Sequence, residues 1–155
     1  MATEITPVVE KDYGSLGTIP YYAVKLEGLV GLSAAESETV VNYAESPFNE
    51  DMVVVDAYMV ITTVDSEDAD LDIGIADDAT ATNAEDNLFD SPANSAAGVL
   101  QGTVVTGIVG VARPLWLKNG SATNSFITAQ QNGNVNASSL VYNLILIVAP
   151  YNAFK

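Results

Sequence analysis

Apolar and polar residues alternate with a period of two along most of this chain, and Gly, Pro, Asn, Asp or Ser interrupts the alternation every roughly eight to twelve residues. The clearest run spans residues 52–64. Val53, Val55, Ala57, Met59 and Ile61 fall on one face of an extended chain, with Asp56, Tyr58 and Thr62 on the other. In the next run Leu71, Ile73 and Ile75 alternate with Asp72, Gly74 and Ala76. Residues 140–148 place Leu140, Tyr142, Leu144, Leu146 and Val148 on one side and Val141, Ile145 and Ile147 on the other, interrupted only by Asn143. A strand apolar on both faces is either central in a sandwich or at a subunit contact.

Further strands are predicted at 19–26, 39–43, 98–100, 104–111, 115–118 and 126–130. Gly28 and Gly31 bracket a turn or bulge, and Asn119-Gly120 is the strongest hairpin signal, with 126–130 as the returning strand. One short helix is predicted at 83–89, with Asn83 as N-cap and Glu85 and Asp86 in its first turn. Residues 1–17 have mixed charge, Pro7, Gly14 and little periodicity, and read as an extended N-terminal arm. Eight to nine short strands with almost no helix give an all-β chain, an antiparallel β-sandwich or jelly-roll-like fold. It is one domain over residues 18–155, long enough to bury its own core.

Charge adds a second pattern. All 20 acidic residues lie at or before Asp90, against Lys11 and Lys25, while residues 91–155 carry only Arg113, Lys118 and Lys155. The net charge of −15 is thus strongly negative in the first ninety residues and slightly positive after them. The acid-free part either supplies core strands with uncharged polar loops, or is covered by copies of itself or a larger lattice, since interface cores are depleted in charge. The acidic field argues against nucleic acid, whose phosphates need clustered Lys and Arg, and against anionic membranes. No apolar run has the length of a membrane helix, and MATEITPVVEKDYG lacks the basic and apolar regions of a secretory signal.

Candidate chemistry is sparse. Without Cys or His there is no disulfide, thiol or zinc chemistry, and no Ser-His pair. Asp68, Asp70 and Asp72 have the alternate spacing of a Ca²⁺ loop, a weak metal candidate. The loop pattern then fails, because Gly74 falls one place late and Ala79 stands where a bidentate Glu is needed. The expectation is therefore no metal and no other cofactor, with the acids as a solvated turn. The aromatic residues, Trp116 among them, read mainly as core or contact residues, with a sugar-stacking platform as the alternative.

One stretch resembles a family. Leu71-Asp72-Ile73-Gly74-Ile75-Ala76-Asp77-Asp78-Ala79-Thr80, then Glu85-Asp86-Asn87-Leu88-Phe89-Asp90, then Ala97-Gly98-Val99, is similar to a pattern in small β-sandwich virion proteins of tailed bacteriophages. The resemblance covers roughly residues 53–111 and contains no catalytic motif. It implies a non-enzymatic structural protein of the virion, a capsid decoration (cement) protein on the outer surface of the head, with the major capsid protein as partner. A fibre-tip or adhesin-type glycan-binding module, or a tail or connector component, is the alternative. The acid-free part suggests a homo-oligomer, a trimer, with Leu140, Val141, Ile145 and Ile147 as contact residues.

Overall fold

The computed structural model describes residues 2–16, 19–33, 38–102, 113–133 and 136–155, with backbone alone at 11–16. The predicted strand at 104–111 lies outside them. Among the described residues the chain forms eleven strands: β1 Thr3–Glu4, β2 Val8–Leu16, β3 Ile19–Val30, β4 Thr39–Glu45, β5 Met52–Thr63, β6 Asp70–Ala76, β7 Phe89–Asp90, β8 Gly98–Gln101, β9 Leu115–Trp116, β10 Phe126–Asn132 and β11 Val141–Pro150. A 3₁₀ turn, Tyr151–Phe154, follows the last strand. The fold is an all-β sandwich.

One sheet has the order β1-β4-β10-β6-β7; the other has β2-β3-β11-β5-β8, with β9 also on β5. All pairs are antiparallel except the short β1–β4 pair. The segment read as an arm thus adds an edge strand to each sheet, and Ile5 reaches the core. Its backbone groups find partners along existing edges, a gain that side-chain periodicity does not register.

The centre of each sheet comes from the acid-free part of the chain. β10 lies between β4 and β6, and β11 between β3 and β5. Leu140, Tyr142, Leu144, Leu146 and Val148 are fully buried between the sheets, as their alternation implies, against Leu26, Met59, Ile73, Leu88 and Trp116. Burying each large side chain contributes about 1.5–3 kcal/mol. The core-facing sides of these strands have no place for carboxylates, which accounts for part of the charge asymmetry.

Three expectations are corrected. On β5, Met52 and Val54 face the core in place of Val53 and Val55. The register of β5 on β11 shifts at Val54–Asp56, and one extra residue carries every side chain on one side of it to the opposite face. No helix forms at 83–89. Asn83 has φ 51°, outside the extended region an N-cap needs. The segment instead gives its N–H groups to β6: Glu85 donates to Ile75 O (3.1 Å), Leu88 to Ile73 O (3.0 Å) and Ser91 to Leu71 O (2.9 Å). Leu88 and Phe89 then enter the core. Asn119-Gly120 does form a turn, with Gly120 at φ 76° and Ser121 N–H on Lys118 O, but β9 and β10 belong to different sheets. The turn carries the chain across the sandwich.

Gly28 stands, as expected, in a bulge. Its φ is 73°, and Glu27 and Gly28 together oppose Asn143, whose Oδ1 accepts the Gly28 N–H at 2.9 Å.

Candidate functional site: two opposed sheet faces

The register fixes which side chains point away from the core of the six-stranded sheet, and they form rows across it. One row runs Val8, Lys25, Ile145, Tyr58, Gln101 from β2 to β8. The next runs Glu10, Ala23, Ile147, Asp56. On the other side lie Asn143, Val60, Val99 and then Val30, Val141, Thr63. Val99 is 65% exposed and Val8 49%, while Val60, Val141 and Ile145 are half-buried in the middle of the face. Ile147, at 8%, is sunk between Ala23 and Asp56.

Among the described residues the charges on this face nearly balance. Lys25 Nζ sits 3.0 Å from Glu27 Oε1. Asp56 is engaged by the Tyr58 hydroxyl, which donates to Oδ2 at 2.6 Å, and by its neighbour Ala57 N–H at 2.7 Å. At the margin Arg113 Nη1 donates to Val55 O at 3.2 Å. Glu10, Glu27 and Asp56 thus stand against Lys25 and Arg113 on a chain of net charge −15.

Of the four residues expected at a contact, three belong to this face. Val141, Ile145 and Ile147 look outward, whereas Leu140 is fully buried in the core and presents nothing to a partner.

The opposite face, on the five-stranded sheet, is acidic. Gln130, Asp72 and Asp90 form one row across β10, β6 and β7. The segment between β6 and β7 lies over this face, where a Cβ at Gly74 would run into the Glu85 carbonyl. Carboxylate oxygens of Asp72, Asp86 and Asp90 lie within 4.8 Å of one another, and Asp72 and Asp86 line a pocket of about 330 Å³ with Glu38, Glu85 and Gln130. Burial raises the Asp72 carboxyl above its ordinary 3.8, and Asp70, Asp86, Asp90 and Glu38 raise it further. These three aspartates are the described residues that could hold a hard cation. Three carboxylates fall short of the six to eight oxygens that Ca²⁺ collects, and Asp86 and Asp90 are exposed.

The spaced set read from sequence does not converge. Asp68 Oδ1 accepts the N–H of Asn94 (2.6 Å) and of Ser95, and Asp70 Oδ1 accepts the Ser91 hydroxyl (2.6 Å). Both tie residues 91–95 to the start of β6. Only Asp72 joins the cluster; its companions are Asp86, from the segment read as a helix, and Asp90, just after that segment.

Trp116 is fully buried, its Nε1–H on Ser125 O at 3.0 Å and its ring edge-on to Phe48, so it cannot stack a sugar. Tyr22 and Phe48 are both half-buried, with ring centroids 6.2 Å apart. They border a groove of about 430 Å³ with Val9, Pro47, Asn49 and Glu50. Among the described residues no helix is long and apolar enough to cross a membrane. No protein-family model and no curated protein matches this chain.

Proposed function

We propose that this chain is a non-enzymatic structural protein of a tailed-phage virion, a capsid decoration protein on the outer surface of the head. The observation that carries this reading is the separation of charge between the two sheets. One face is apolar at its centre and almost neutral, suited to burial against protein; the other is acidic and suited to water. Such a sandwich works as a rigid part whose neutral face is covered and whose acidic face keeps particles soluble and mutually repelling. The pattern from Leu71 to Val99 resembles small virion proteins, which is why the larger object is taken to be a phage head with the major capsid protein as partner. Further copies of the chain complete the assembly.

Heads made with and without the protein test this. The expected result is that the protein co-purifies with heads and raises the temperature at which they open. Heads that carry no copy, and that open at the same temperature in both preparations, refute it.

The groove beside Tyr22 and Phe48 favours a second reading, a glycan-binding module. Selective binding on a glycan array that Tyr22→Ala abolishes would establish it, and an array without hits would remove it.

A further inference from the structure

We infer that the outer face of the six-stranded sheet pairs with the same face of a second copy about a two-fold axis, making a face-to-face dimer. This inference rests on the reading of that face as the assembly surface, and it replaces the three-fold arrangement expected from sequence with a two-fold one.

β11 is the middle strand, with β3 on one side and β5 on the other. A two-fold axis running along β11, between two such faces, lays β11 over β11 and exchanges the sides, so that β3 of one copy lies over β5 of the other. Rows then meet themselves reversed. Ile145 opposes Ile145 of the second copy, and Ile147 opposes its own counterpart. Lys25 lies over Tyr58 of the second copy, a ring face able to attract an ammonium group. Asp56 of the second copy is one row away, about 7 Å along the strand and within reach of a lysine stem. Asp56 itself comes over Ala23. Among the described residues no acid faces an acid, although each chain carries a net charge of −15. Aligned packing of two sheets at about −30° tolerates this arrangement. The acidic five-stranded sheets then lie outermost and farthest apart, and it is the second copy, not the head, that covers the neutral face.

A three-fold axis does not reuse one face in this way, because a cyclic contact needs two different surfaces. The reversal that sets Lys25 against Tyr58 and Asp56 belongs to the two-fold alone. Pairing also covers Val8 and Val99, the most exposed of the large apolar residues on the face.

Sedimentation velocity on the purified chain tests the inference. The expected mass is twice the 16.2 kDa of one chain. Lys25→Glu sets an acid against Asp56 of the second copy and is expected to weaken pairing at least about tenfold. Asp56→Lys sets two cations together and is expected to do the same. Mixing the two variants restores both contacts, one with reversed signs and one with the original signs, so dimers are expected to return in the mixture. Circular dichroism reports whether each variant is folded, and Ile145→Asp tests the centre of the face if Asp56→Lys fails to fold. A wild-type chain that sediments as a monomer or a trimer overturns the inference, as does a dimer whose affinity neither Lys25→Glu nor Ile145→Asp changes. Head binding is measured separately. A chain that decorates heads but stays monomeric refutes the pairing and leaves the decoration reading standing, whereas a dimer that never binds heads does the reverse.

Discussion

Gly74→Ala isolates the contact that holds the β6–β7 segment on the acidic face. The new methyl carbon would overlap the Glu85 carbonyl oxygen and lie 2.7 Å from Asn87 Oδ1. Neither obstacle is the free end of a flexible chain: one is backbone, and the other is held by the Ile75 N–H at 3.1 Å. The segment must lift away. Lifting it threatens three hydrogen bonds: Glu85 N–H to Ile75 O, Leu88 N–H to Ile73 O, and Ile75 N–H to Asn87 Oδ1. Each contributes about 0.5–1.5 kcal/mol net. Alanine recovers part of the loss, about 0.5–1 kcal/mol, because glycine gives up more freedom in a strand. The expected cost is therefore about 0.5–4 kcal/mol, which for a chain of this size lowers Tm by roughly 1–16 °C. Urea unfolding followed by Trp116 fluorescence should show a lower midpoint with an unchanged slope. Asn87→Ala removes a single bond and should cost about 1 kcal/mol. A Gly74→Ala protein with wild-type midpoint and Tm would refute the argument.

Other outcomes are expected from single groups. The folded Asp72 carboxyl lies above its unfolded value of 3.8, so its favourable contribution is complete below pH 3.8 and is lost as pH rises through the folded value. Asp72→Asn should therefore raise Tm at pH 7, with the gain shrinking as pH falls toward 4 in a thermal melt series. Asp78 has the opposite sign: hydrogen bonds from Thr80 and Thr82 bring it down to about 2, so its contribution is present above pH 3.8 and lost toward pH 2. Asp78→Ala should lower Tm at neutral pH and converge with wild type in strong acid. Tyr142 carries a fully buried hydroxyl with no hydrogen-bond partner among the described residues, and burial pushes its ionisation up. Tyr142→Phe should leave stability unchanged or raise it by up to about 1 kcal/mol in the same urea assay. Raising monovalent salt from about 0.01 to about 0.1 M shortens screening from about 30 to about 10 Å, and Tm should rise as the −15 charge repels itself less.

Sequence pattern captured what depends on alternation and little of what depends on backbone pairing. The two apolar faces of β11 were readable because every second residue is large, and the burial of Tyr142, Leu144, Leu146 and Val148 follows. The shift on β5 was not, since Val53 and Val54 are chemically equivalent and only the neighbouring strand decides which one turns inward. β1 and β2 escaped notice because what holds them is backbone pairing along existing edges, which a side-chain pattern does not register. At Asn83–Phe89 the acids and the Asn do resemble a helix start, yet β6 had free carbonyls on that edge and took the N–H groups first. The aspartates read from sequence were chosen by spacing, whereas Asp72 meets Asp86 and Asp90 through a strand pairing of β6 with β7 that spacing does not encode.

The position of β11 also bears on how the chain is made. It follows β2, β3, β5, β8 and β9 in sequence, yet it is the strand that joins β3 to β5. Until residue 150 has emerged from the ribosome, the two halves of that sheet share no ladder, and their inward Leu, Val and Met residues have no cover. Folding by such distant pairings is slow, because a long loop must close before any contact rewards it. A nascent or prematurely terminated chain therefore waits with unpaired strands and is at its most aggregation-prone then. Slow synthesis at low temperature, or a chaperone that holds the chain until β11 arrives, should improve its yield more than any change to the surface of the finished protein.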